Sequence, residues 1–129
     1  MQDYRSLRVW QDSRNLALEI YRLTSEFPPD ERFGLVTQMR RAAVSVSSNL
    51  AEGCSRSGRR DFARFLEMAL GSVYELEVQL DLAVTLDMAS DDRSALDRCD
   101  KLKRSIIRLI NTVHSEKDGK DPAPKTNRT

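Results

Sequence analysis

Apolar residues on either side of one arginine-rich turn recur at alternating three- and four-residue steps, and this spacing constrains the chain more than any other feature. Before the turn CSRSGRRD they are Met39, Ala43, Val46 and Leu50; after it they are Phe62, Leu66, Ala69, Val73, Leu76, Leu80 and Ala83. Steps of three and four keep side chains on one helix face, whereas a strand needs alternation at two. The chain from Gln38 onward is therefore predicted to form two amphipathic helices folded about that turn. With 129 residues, the whole chain suits one domain, and a domain of this size buries about two thirds of its unfolded surface.

Two more helices complete the pattern. Helix one is expected from about Leu7 to Glu26, with Trp10, Ala17, Ile20 and Thr24 on its inner stripe and Phe27 closing it. Pro28 and Pro29 end it, because proline lacks an amide hydrogen and restricts the residue before it. Asp30 and Glu31 suit the positive end of helix two, which is expected to run to about Glu52 with Gly53 as a left-handed cap. Helix three follows the SRSG turn to about Leu86. Ser90 is the expected N-cap of helix four, supported by Asp91 and Asp92, with Ala95, Cys99, Leu102, Ile106, Leu109 and Val113 as its inner stripe. Short connections favour antiparallel neighbours, so the predicted fold is all-α, an antiparallel up-down-up-down four-helix bundle over residues 1–116. Residues 117–129 offer almost nothing to bury and are expected to form a disordered polar tail.

Helix two is rich in small residues, Ala42, Ala43, Ser45, Ser47, Ser48 and Ala51, which let helix backbones approach, and Gly71 on helix three suggests a second close contact. Helix three also carries Leu70, Tyr74, Val78 and Leu82 at four-residue steps beside its main stripe. Two readings fit this second stripe: a subunit contact, or a central helix burying both stripes against its own neighbours. Glu75 and Glu77 are placed to form structural ion pairs with Arg40 or Arg41 across the helix two interface.

The net charge of +1 is uninformative, but its distribution is not. From Phe65 to Asp92 there are seven acidic residues and no Lys or Arg, so the folded molecule should carry separate acidic and basic zones. Arginine supplies 16 of the 21 basic residues, and its planar fork suits phosphate or carboxylate. One candidate nucleic-acid patch is the turn and helix start with Arg56, Arg59, Arg60 and Arg64, where helix amides add to the arginines. A second is Lys101, Arg104 and Arg108. The competing reading is that these cations form salt bridges on solvated helices. No base-stacking or recognition-helix signature accompanies either patch, so binding would be directed at the backbone and its shape.

No catalytic constellation is present. The sole histidine, His114, lies far along the chain from the serines of helix two, and no GxSxG or Ser-x-x-Lys pattern surrounds them. Glu67, Glu75, Glu77 and Asp81 lack the Glu-x-x-His pairs of a metal-binding bundle, so no metal, no cofactor and no enzymatic activity are expected. Cys54 and Cys99 are far apart and read as reduced, buried thiols. No apolar run reaches the roughly 20 residues of a membrane span, and MQDYRSLRVW is too charged for a signal peptide. The expected location is cytoplasmic, with no membrane partner.

Three segments, LRVWQDSRNLALEIYRLTSEFP, FGLVTQMRRAAVSVSSNLAEG and FLEMALGSVYELEVQL, together resemble the proteins encoded by intervening sequences of bacterial large-subunit ribosomal RNA genes. That family is distantly similar to the accessory variability determinants of diversity-generating retroelements. The resemblance implies a four-helix bundle assembled as a homo-oligomeric ring, with a pentamer as the expected number. By family analogy it also implies RNA or DNA, and a reverse transcriptase, as partners. The leading expectation is a non-enzymatic, oligomeric nucleic-acid-binding or accessory protein. The alternative is a protein-interaction scaffold that binds no nucleic acid.

Overall fold

A computed structural model describes residues 2–89 and 93–118. Four helices make up almost all of them: α1 (Arg8–Thr24), α2 (Thr37–Cys54), α3 (Arg59–Thr85) and α4 (Ser94–Asp118). No strand occurs among the described residues. Each helix packs on the next in sequence, and α1 closes against α4, which makes an antiparallel four-helix bundle. The expected cap Ser90–Asp92 and the tail from residue 119 onward lie outside the described residues.

The inner stripes of α2 and α3 are those the spacing predicts. Met39, Ala43, Val46 and Leu50 are buried, as are Leu66, Ala69, Val73, Leu76, Leu80 and Ala83, while Phe62 is half-buried at the rim. On α4, Ile110 is buried where Leu109 was expected, and Leu109 is only half-buried. On α1 the buried face is Val9, Ser13, Leu16, Ile20 and Thr24, with Trp10 and Ala17 at its edge. Ile20 and Thr24 are buried as expected, the rest of the stripe shifts to Val9, Ser13 and Leu16, and both polar members are buried at little cost. Ser13 Oγ donates to Trp10 O at 2.6 Å and shares a 2.8 Å hydrogen bond with Ser47, and Thr24 Oγ1 donates to Ile20 O at 2.7 Å. Trp10 instead packs edge-on against Tyr4, ring centroids 4.7 Å apart.

The α1–α2 connection is longer than the sequence suggests. A 3-10 turn at Pro29–Glu31 leads into a wide π-type turn at Arg32–Val36, where Gly34 (φ −107°, ψ −109°) leaves the helical region and regular helix resumes only at Thr37. The Glu31 carboxylate accepts from the Leu35 amide at 3.3 Å and so holds the turn.

Both glycine assignments change. Gly53 lies within α2 rather than capping it, and no described glycine has positive φ. A Cβ there would stand 3.0 Å from Phe65 Cβ and 3.1 Å from Phe62 Cδ1, so Gly53 marks a close approach of α2 and α3. The left-handed residue is Asp87 (φ 62°), just past α3, where Asp87 N donates to Val84 O and Met88 N to Ala83 O. Gly71 faces open space: a Cβ on it would have no neighbour within 4 Å.

Candidate nucleic-acid interface

Four residues, 55–58, turn the chain from α2 into α3. Gly58 is the N-cap and supplies no side-chain hydrogen bond, so the first-turn amides of α3 lack the partner that a Ser, Asp or Asn cap provides. The four arginines predicted here do gather around this helix start, but their states differ. Arg56 binds Glu52 at 2.6 Å, and its guanidinium lies 5.0 Å from the Phe65 ring centre. Arg64 lies 4.7 Å from the same ring and 3.8 Å from Asp61. Arg59 reaches Glu116 of α4 only at 3.9 Å. Arg60 is exposed and has no carboxylate partner among the described residues. A hollow of about 140 Å³ lies beside this group, lined by Gln2, Gly53, Cys54, Arg56, Ser57, Gly58, Arg59 and Phe62. The exposed pairs at 3.8–3.9 Å hold their arginines weakly, and a phosphate can replace the carboxylate.

The second predicted patch spreads along the groove between α1 and α4. Arg104 is engaged by Asp100 at 2.6 Å. Lys101 and Arg108 have no acidic partner among the described residues and line two adjoining hollows of about 280 and 310 Å³ that share Asp12 as a wall. Arg8, 3.8 Å from Asp12, adds a further cation. Across both patches, the salt-bridge reading therefore describes Arg56 and Arg104 best, and leaves Arg60, Lys101 and Arg108 without a carboxylate partner among the described residues.

The predicted ion pairs between α2 and α3 do not form. Glu77 binds Lys103 of α4, with Nζ at 3.0 Å, and this hydrogen bond holds the Lys103 ammonium above its ordinary pKa. Glu75 makes only a 3.5 Å hydrogen bond with Gln79. Arg40 turns to α1, donating to Thr24 Oγ1 at 2.9 Å and Tyr21 O at 3.2 Å with its guanidinium over the Tyr21 ring. Arg41 is exposed without an ion partner among the described residues. The polar contact between α2 and α3 is made instead by Ser45 and Ser72, 2.9 Å apart. Lys103, which spacing did not single out, ties α3 to α4 and lies 5.1 Å from the Tyr74 ring centre.

The second stripe of α3 is left uncovered by its own subunit. Tyr74, Val78 and Leu82 are 47%, 60% and 46% exposed, and only Leu70 is half-buried against the core. Similar exposed apolar residues stand on α1 (Leu18, Tyr21) and α2 (Val44), a feature visible in sequence only once the true α1 stripe is known.

The remaining candidate chemistry is accounted for locally. Ser45 and Ser47 bond other hydroxyls, and His114 faces Glu67 at 3.8 Å rather than any serine. Among the described residues no group of three or more His, Cys, Asp or Glu is placed to hold a metal ion, and no helix is long and apolar enough to cross a membrane. Cys54 and Cys99 are free and buried. Burial pushes both thiols up, Cys99 to about 12 with help from the Glu77 and Glu19 charges, so neither is a ready nucleophile.

Residues 5–111 match the family model described as 23S rRNA-intervening sequence protein. Among solved structures, the chain is similar to a protein of unknown function from the S23 ribosomal protein family of Bacteroides thetaiotaomicron. The TM-score is 0.72 and the identity 22%, over 79% of this chain and 97% of that one, a likeness of fold. No curated protein matches the sequence. None of these comparisons indicates a catalytic family.

Proposed function

The chain belongs to the 23S rRNA-intervening sequence protein family, and we propose that it acts there as a cytoplasmic, non-enzymatic, oligomeric accessory protein that binds RNA or DNA through the phosphate backbone. The observation that carries this reading is the start of α3. Arg60 has no carboxylate partner among the described residues and stands beside uncapped helix amides, Arg59 is held only by a long, exposed ion pair, and Arg64 by another and by the Phe65 ring. Lys101 and Arg108 along the α1–α4 groove extend the cationic surface. Assembly into a homo-oligomer, with five copies as the number the family resemblance implies, would repeat this surface and raise avidity without any new contact.

Duplex binding measured across salt concentrations tests the reading. The parent should bind with a negative slope in log affinity against log salt, and Arg56→Ala/Arg59→Ala/Arg60→Ala should flatten it by roughly 0.9 for each phosphate no longer neutralised. Equal slope and affinity in parent and variant would remove these arginines from the interface. A scaffold without nucleic-acid binding is the second reading, favoured by the acidic, apolar outer face of α3. Absence of any salt-sensitive binding by the parent would select it.

A further inference from the structure

The outward faces of α1 and α3 carry one pattern with opposite charge. On α3, exposed Val78 is flanked at three-residue steps by Glu75 and Asp81, with Tyr74 and Leu82 alongside. On α1, exposed Leu18 is flanked at four-residue steps by Arg14 and Arg22, with Tyr21 alongside. At a rise of 1.5 Å per residue, the two acids lie about 9 Å apart along their helix and the two arginines about 12 Å apart along theirs. Among the described residues of the subunit, neither Arg14 nor Arg22 has a carboxylate partner and Asp81 has no cation, and all are exposed. Val44 lies one turn beyond Arg40, which is bonded to Tyr21, and extends the α1 strip onto the edge of α2.

One subunit cannot satisfy both faces. The packed pairs are α1 with α2, α2 with α3, α3 with α4 and α1 with α4, so α1 and α3 occupy opposite corners of the bundle and their outer faces look apart. Pairing α3 with α3 would set acids against acids. We propose that the occupant of the α3 face is a second copy of this chain: the Tyr74, Val78 and Leu82 strip of one subunit seats on the Leu18, Tyr21 and Val44 strip of the next, with Glu75 and Asp81 meeting Arg14 and Arg22. The contact joins two unlike surfaces, so every subunit offers one of each and the assembly propagates into a ring or chain rather than stopping at two. Gly71, exposed one turn before Glu75 with open space around it, lets the neighbouring helix come close on that face. The inference rests on the reading of the protein as an oligomer and names its contact.

Light scattering on a sizing column tests it. The parent should run at a multiple of its 14.7 kDa subunit mass. Arg14→Glu/Arg22→Glu and Glu75→Arg/Asp81→Arg should each fall to the single-subunit mass with helical circular dichroism retained, and the chain carrying all four changes should recover the parent mass. If a charge variant loses helicity, Leu18→Asp and Val78→Asp decide instead: each is a monomer alone, and an equal mixture forms a dimer held by the one intact contact. A monomeric parent would overturn the oligomer reading itself. An oligomeric parent whose Arg14→Glu/Arg22→Glu or Leu18→Asp variant keeps its mass would overturn only the pairing of unlike faces, as would monomeric charge variants that the fourfold chain fails to rescue.

Discussion

The two faces of α3 carry apolar stripes, the inner at alternating three- and four-residue steps and the outer at four-residue steps, that meet opposite fates. Leu66, Ala69, Val73, Leu76, Leu80 and Ala83 are at most 2% exposed, whereas Tyr74, Val78 and Leu82 remain 46–60% exposed. Both spacings are helical, and the residues around each stripe separate them further. The inner stripe meets the small residues of α2, which let the helices close up. The outer one runs among Glu67, Glu75 and Asp81, whose charges favour contact with water. Two glycines mark the same division. Gly53 sits where a methyl would press tightly on Phe65 Cβ at 3.0 Å, and Gly71 where a methyl would have no neighbouring element within 4 Å.

Leu76→Ala should break the inner side most, costing about 2–5 kcal/mol because a fully buried leucine leaves a cavity. The matching change outside, Val78→Ala, should move the unfolding of dilute subunits in urea by only about 0.5 kcal/mol. Comparable losses at both positions would erase the distinction. Gly53→Ala should come next, at about 1–3 kcal/mol, since Phe65 Cβ has no rotamer by which to retreat.

The buried side also has a pH signature. The folded Cys99 thiol, pushed up to about 12, keeps its proton above pH 9 while the unfolded thiol loses it. The folded state then binds more protons, and stability falls as pH rises, by roughly 1 kcal/mol between pH 9 and pH 10 for this group. Cys99→Ala should shrink that alkaline loss in urea melts at the two pH values. Cys54 and Lys103, also raised, act in the same direction. Gly71→Ala should have the smallest effect, stabilising dilute subunits by less than about 1 kcal/mol through helix propensity while weakening self-association, which sedimentation at several concentrations would read.

The bundle was legible in sequence because the cores of α2, α3 and α4 are almost entirely apolar, with Gln79 of α3 the polar exception, so spacing alone locates them. On α1 the expected Ile20 and Thr24 are buried, but the first half of the stripe was not legible, since Ser13 is buried through hydrogen bonds to the Trp10 carbonyl and Ser47 that composition does not reveal. Gly53 was misplaced for a related reason: a glycine near a helix end serves equally as a left-handed cap or as a close approach, and only the position of Phe62 and Phe65 decides. The arginines of the α3 start were found by their clustering, and the structure adds which of them carboxylates already hold. The partners of Glu77 and Arg40 depend on which helices meet and at what height, so Lys103 and Thr24 were out of reach of pattern alone.

The central claim, that the outer stripe of α3 is an interface and not idle surface, is tested most directly by the solution mass of the intact protein beside that of Val78→Asp. The account predicts a parent at a multiple of 14.7 kDa and a variant at 14.7 kDa with unchanged helical circular dichroism. A parent at 14.7 kDa at micromolar concentration, or a variant that keeps the parent's mass, would contradict it.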